Sequence, residues 1–318
     1  MSEQQDNDKQ SKFEHALVSK IATEAITEQR RARRWGIFFK LFMLAYVSIF
    51  ALMFLADGWD GASIRKGEHT AMVDISGVIS AGTQASADNI VSGLRAAFED
   101  KNTAGIILRI NSPGGSPVQA GYVNNEIYRL REEYPDIPFY SVITDMCASG
   151  GYYIAAAADE IYADKASIVG SIGVIMSGFG FVDTIDKLGV ERRLLHAGDN
   201  KGFLDPFSPL KLDEVEHVET LLTDIHKQFI EVVKKGRGDK LIDDEKIFSG
   251  LIWTGEQSIE LGLVDALGSP GYVAREVIGA EDIVDFTKRK TFMDQFASKI
   301  GSVFAKSMRS ILEGFEFR

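Results

Sequence analysis

Residues 139–158 read FYSVITDMCASGGYYIAAAA. The first six, FYSVIT, form a short aromatic and β-branched run, the composition of a buried strand. Pro135 and Pro138 stand just before it and separate it from the preceding helical stretch. From 149 to 158 the residues are small or helix-compatible, so the chain is expected to leave the strand through a serine-bearing turn and enter a helix. The same alternation extends outward on both sides. Residues 70–75 and 104–110 (AGIILRI) read as strands. Residues 87–99 place Ile90, Leu94, Ala97 and Phe98 at helical spacing, and 118–133 read as a second helix. Downstream, 167–175 and 190–196 are expected to be strands. Residues 212–235 are expected to form a long amphipathic helix, with Val215, Val218, Leu222, Ile225, Phe229 and Val232 on one stripe and Asp213 as its cap. Alternating strands and helices imply an α/β fold built on a largely parallel sheet.

The chain has 318 residues, 45% hydrophobic and 25% charged, enough to bury a core. Its 35 basic and 46 acidic residues give a net charge of −11, which argues against nucleic acid as a partner. Cys147 is the one cysteine, so no intrachain disulfide is possible, and no Cys/His spacing suggests a metal site. Residues 37–56, IFFKLFMLAYVSIFALMFLA, are long enough as a helix to cross a bilayer of about 30 Å. Lys40 is the single charge in that run, and Trp35 and Trp59 flank it as interfacial aromatics do. Arg30, Arg31, Arg33 and Arg34 precede the run, whereas only Arg65 and Lys66 follow it nearby. The positive-inside rule then places the N-terminus in the cytoplasm and the body outside. The expected organisation is a polar tail (1–34), a transmembrane helix (35–56), a linker (57–69), an α/β domain (70–288) and an amphipathic C-terminal helix (289–318).

Three loops near strand ends carry chemistry, the position where α/β sheets bind ligands. Asn111-Ser112-Pro113-Gly114-Gly115-Ser116 offers unhindered backbone N–H groups suited to a developing oxyanion. Asp145 to Tyr153 sets Ser149 at a strand-to-helix junction, with the amide of Gly150 directly after it. On this motif alone the plainer reading of Ser149 is an N-cap, with a nucleophile as the alternative, and Cys147 is a rival nucleophile that reads as buried. Gly170-Ser171-Ile172-Gly173-Val174 is followed by Gly198-Asp199-Asn200-Lys201-Gly202, a loop whose lysine, taken alone, reads as an ordinary solvated one. Of the five histidines, His196 is the one near that loop, and a strand-end role is the simpler reading.

Taken together, NSPGGS, ASGGYYIA, GSIGVI and a lysine 52 residues after the serine resemble the signal peptide peptidase A family of membrane serine proteases in its single-repeat form. The later Trp253-Thr254-Gly255-Glu256-Gln257 and Leu261-Gly262-Leu263-Val264-Asp265 add to the resemblance, which covers roughly 70–280. Where family members often have a Gly-x-Tyr-Lys segment, this chain has Asp199-Asn200-Lys201.

The resemblance implies a ClpP/crotonase-like βα superhelical fold, a homo-oligomer, and no cofactor. It implies Ser149 as nucleophile, Lys201 as general base and Ser171 as the group that orients Lys201. It also implies Gly115 and Gly150 as the oxyanion hole, with Gly114 at the substrate. The expected activity is a serine endopeptidase in a bacterial plasma membrane, with its catalytic domain periplasmic or extracellular, acting on signal peptides or other hydrophobic peptides. Lysine chemistry sets a condition on this. With an ordinary pKa near about 10.4, a lysine base is neutral at pH 7 only at a cost of about 4.6 kcal/mol unless its site is desolvated. A crotonase-type acyl-CoA enzyme and a non-catalytic membrane scaffold are the competing expectations.

Overall fold

The computed structural model describes residues 2–57 and 67–289, in two units. The described part of the first is a helix, α1 (Ser2–Asp57), which continues without a break through the polar stretch into the apolar one. Within it, Ile26–Leu52 is long and apolar enough to cross a membrane, and the large apolar side chains from Trp35 to Leu52 are exposed. The expected C-terminal helix lies outside the described residues.

The second unit is an α/β body. Its elements are β1 (His69–Ser76), α2 (Ala87–Glu99), β2 (Thr103–Ser112), α3 (Pro117–Glu133), β3 (Phe139–Ala148) and α4 (Gly150–Ala155). There follow β4 (Glu160–Ala163), β5 (Ile168–Gly170), α5 (Val182–Lys187), α6 (Leu212–Arg237), β6 (Ile252–Thr254), α7 (Gly255–Glu260), β7 (Ala266–Leu267), α8 (Pro270–Tyr272) and β8 (Ile283–Asp285). The central sheet runs β6-β5-β3-β2-β1-β8, parallel except where β5 meets β6. Strand β3 changes partner along its length. Tyr140 to Ile143 pair with β4, and Met146 to Ala148 pair with β5. This fork carries the end of β3, and Ser149 behind it, away from the β4 side of the sheet.

Parallel strands covered on both faces need near-continuous apolar runs. Ile106, Ile107, Leu108 and Ile110 of β2 are all fully buried, as are Phe139 and Val142 of β3. On one face Phe98 of α2 stacks on Phe139 at 5.9 Å, and Val123, Ile127 and Leu130 of α3 lie in the same core. Each such side chain contributes roughly 1.5–3 kcal/mol when taken from water. The cap of α6 differs from expectation. Lys211 holds that position without a side-chain capping bond to the helix amides, and Asp213 sits inside the first turn. Residues 190–196 form no strand, and of 167–175 only Ile168–Gly170 pairs, because β5 finds a partner edge in β6 whereas the stretch beyond it finds none.

Candidate active site

Strand β3 ends at Ala148, and the chain turns sharply into α4 at Ser149 (φ 52°, ψ −123°). A non-glycine residue at positive φ costs about 1–3 kcal/mol and persists only where its surroundings hold it. Two backbone bonds hold this one: the Ser149 amide donates to Gly170 O at 2.9 Å, and Ser149 O accepts from Tyr153 N at 3.0 Å. The Ser149 side chain caps nothing in α4 and has no hydrogen-bond partner among the described residues. The N-cap reading of Ser149 therefore does not hold.

The Pro113-Gly114-Gly115 turn packs directly on this junction. A methyl group at Gly114 (φ 98°) would lie 2.7 Å from both Ser149 Cβ and the Gly150 nitrogen. A methyl at Gly115 (φ 150°) would collide with the carbonyl oxygen of Ile79. Ile79, fully buried in the loop after β1, clasps the turn from both sides. Its N–H donates to Gly114 O at 2.9 Å, and its carbonyl accepts from Ser116 N at 2.8 Å. That clasp leaves the Gly115 N–H without an acceptor among the described residues, and the Gly150 N–H at the start of α4 is likewise unbonded. The two amides are neighbours, since a Cβ at Gly150 would stand 3.3 Å from the Gly115 nitrogen. Sequence reasoning did not single out Ile79, because a lone apolar residue in a loop carries no motif.

Ser149, Gly115, Gly150 and Ser171 all border one cleft of about 670 Å³. Its walls include Val118 and Tyr122 of α3, Tyr153 of α4, and Ile225 and Phe229 of α6. The Tyr153 and Phe229 rings meet at 5.1 Å, and burial raises the Tyr153 phenol above its ordinary pKa, so it stays neutral. Ser171 also sits at φ 52°, with its amide bonded to Leu251 O at 2.7 Å. Cys147 is fully buried, and desolvation pushes its thiol well above the ordinary range, which removes it as a nucleophile. The Asp145 carboxylate accepts from Asn111 Nδ2 at 2.6 Å and takes no part in a triad with Ser149. His196 is exposed, its Nδ1 3.0 Å from Gly198 O.

Lys201 lies elsewhere. It is exposed, makes no side-chain hydrogen bond or ion pair among the described residues, and does not line the cleft. Its loop is closed by Lys201 N to Gly198 O at 3.0 Å and Phe203 N to Asn200 O at 3.2 Å. That loop is attached to the start of α6 at Glu214, whereas α6 first reaches the cleft at Ile225. Eleven residues of helix separate those points by about 16 Å. The stretch of chain that carries Lys201 is unusually apolar for an exposed one, with Leu195 95%, Leu210 72% and Leu212 89% accessible.

The sequence pattern of peptidase family S49 matches residues 132–300. Among curated proteins, 186 residues are 47% identical to a Brucella abortus (strain 2308) protein named Na(+)/H(+) antiporter NhaA, covering 58% of this chain and 25% of that protein. An Enterococcus faecium protein named as a signal peptide peptidase SppA is 33% identical over 180 residues, 57% of this chain and 52% of that one. A Synechocystis protein named as a protease is 32% identical over 199 residues, 63% of this chain and 69% of that one. The chain thus spans about a quarter of the length of the Brucella relative and about half of the Enterococcus one.

Proposed function

The chain belongs to peptidase family S49, the signal peptide peptidase A family with its ClpP-like fold, and we propose that it is a membrane-anchored serine endopeptidase working through Ser149 and Lys201. The observation that carries this reading is the unbonded Ser149 hydroxyl, held at positive φ beside the free amides of Gly115 and Gly150. Ser149 Oγ attacks the scissile carbonyl carbon while Lys201 Nζ takes its proton. The resulting oxyanion accepts from the Gly115 and Gly150 N–H groups, with Gly114 backing the substrate chain. Collapse of the intermediate expels the amine, which takes the proton back from Lys201 and leaves an acyl-Ser149. Water, deprotonated by the same lysine, then releases the acid and restores the serine. Ser171 orients the neutral Lys201 amine from the cleft wall.

The base is supplied by a neighbouring copy of the chain. Support for this comes from the exposed Lys201, its absence from the cleft of its own chain, and the exposed apolar side chains around it. Docking of that segment also desolvates the lysine, as a neutral base requires. The substrates are hydrophobic peptides such as signal-peptide remnants, which suit a cleft walled by Val118, Tyr153, Ile225 and Phe229. Residues 35–56 anchor the chain in a bacterial plasma membrane, with the tail 1–34 cytoplasmic and the 70–288 domain on the far side. The linker 57–69 and the C-terminal segment 289–318 flank that domain.

The test is hydrolysis of hydrophobic peptides by the detergent-solubilised full chain and by its Ser149→Ala and Lys201→Ala variants. Both variants are expected to lose at least about 10³-fold in kcat, in the range found when a catalytic nucleophile or base is removed. Full activity in either one would overturn the dyad.

A further inference from the structure

Glu214 occupies the third position of α6, where a glutamate ordinarily reaches back to bond the amide of its own N-cap. Here it does not. Its carboxylate is directed into the loop before the helix, accepting from Leu204 N at 2.8 Å and from Lys211 Nζ at 3.0 Å. Glu214 is only 8% accessible, an uncommon setting for a carboxylate at a helix start. The donor residue is itself constrained, because Leu204 is held at φ 53°, a region that leucine seldom visits. One residue earlier, Phe203 meets the ring of His217 edge-on at 6.5 Å, a second tie between this loop and the first turns of α6. The loop so moored is the one that carries Lys201. Two consecutive turns, Gly198 to Lys201 and Asn200 to Phe203, link that lysine to the residue just before Leu204.

We propose that Glu214 is a positioning residue for the base: its buried carboxylate holds Leu204 at positive φ and thereby sets where the Gly198–Leu204 loop presents Lys201. The inference rests on the reading of Lys201 as general base. Glu214 touches neither substrate nor Ser149, and it acts only through the loop. Bonding to the Leu204 amide, and then to Lys211, holds the Glu214 carboxyl below its ordinary pKa, so the mooring is charged throughout the neutral range. The same helix supplies Ile225 and Phe229 to the cleft wall, and His226 Nε2 lies 3.2 Å from the carbonyl of Ile172 next to Ser171. Helix α6 thus carries the base loop at its start and one wall of the nucleophile's cleft further along.

The experiment compares wild type, Glu214→Gln, Glu214→Ala and Lys201→Ala as full-length, detergent-solubilised assemblies. It measures kcat and KM across pH with a hydrophobic peptide, together with the melting temperature and assembly size. Glutamine keeps an oxygen for the Leu204 amide and loses the pair with Lys211, so its fall in kcat is expected to be within about 5-fold. Alanine loses both, and kcat is expected to drop about 10–100-fold at unchanged KM, with the acid limb of kcat/KM moved to higher pH. That graded pattern supports the proposal. An unmoved pH profile in both variants, whether activity is kept or lost with the melting temperature, overturns it and leaves Glu214 a structural residue. Full activity in Lys201→Ala instead overturns the base assignment itself, and the proposal with it, an outcome the Glu214 variants do not mimic.

Discussion

The Ser149 amide donates to the carbonyl of Gly170 across 2.9 Å, which fastens the nucleophile's turn to the last residue of β5. Gly170 (φ 111°) has no room for a side chain, because a Cβ there would lie 2.7 Å from the Trp253 ring. Trp253 belongs to β6, the edge strand paired antiparallel with β5. The position of Ser149 therefore depends on an indole two strands away. Gly170→Ala is expected to destabilise the body by about 1–3 kcal/mol through overpacking and strain. It is expected to lower kcat more than KM, and urea melts beside steady-state kinetics check both.

Strain at Ser149 gives a second expectation. Ser149→Gly removes the penalty of a side chain at positive φ, so the protein becomes more stable by about 1 kcal/mol while peptide hydrolysis is lost. Chemical denaturation of the variant against wild type measures the gain. A lower midpoint would show that the turn is not strained.

Gly115→Ala pushes a methyl group into the Ile79 carbonyl and breaks the clasp that leaves the Gly115 amide free. Loss of one oxyanion donor costs about 10²–10³-fold in kcat. An unchanged kcat would remove Gly115 from the oxyanion hole.

Supply of the base by a neighbouring copy predicts complementation. Ser149→Ala and Lys201→Ala chains, each inactive, are expected to recover a fraction of wild-type activity when unfolded together and reassembled. Their separate reassembly is the control. No recovery in mixed assemblies of confirmed composition would return the base to the nucleophile's own chain.

Asp265 supports a pH prediction away from the cleft. Burial opposes its ionisation, but the hydrogen-bonded Arg237 guanidinium and Lys240 ammonium outweigh this and hold its pKa below the ordinary carboxylate range. A folded pKa below the unfolded one gives stability that is present above the unfolded value, near about 3.9, and lost as pH falls through the folded value. Asp265→Asn leaves Arg237, 1% accessible, without its counter-charge, and a broken buried pair costs about 3–5 kcal/mol. Melting curves between pH 3 and 7 are expected to show a lower plateau for the variant and a shallower loss towards acid.

The long periodic elements were legible in the residues alone. The helix expected at 87–99 appears as Ala87–Glu99, and that at 212–235 as Leu212–Arg237. Their apolar spacing decides which face is buried whatever they pack against. Short strands were not legible. Glu160–Ala163, Ile252–Thr254, Ala266–Leu267 and Ile283–Asp285 have two to four residues each and gain their definition from a neighbour's edge. The strand expected at 190–196 is absent for the converse reason, since a short stretch with no pairing edge remains irregular.

By itself the sequence determined the βα alternation, the apolar N-terminal helix and the serine at a strand-to-helix junction, because periodicity and residue size act over a few neighbouring positions. Only the tertiary structure decided that Ser149 is a strained turn rather than a cap, and that Ile79 frees the Gly115 amide. It alone separated Lys201 from the cleft and turned Glu214 away from its own helix. Those are relations between residues brought together by the sheet fork and by α6, and no local pattern encodes which backbone group a distant residue will bond.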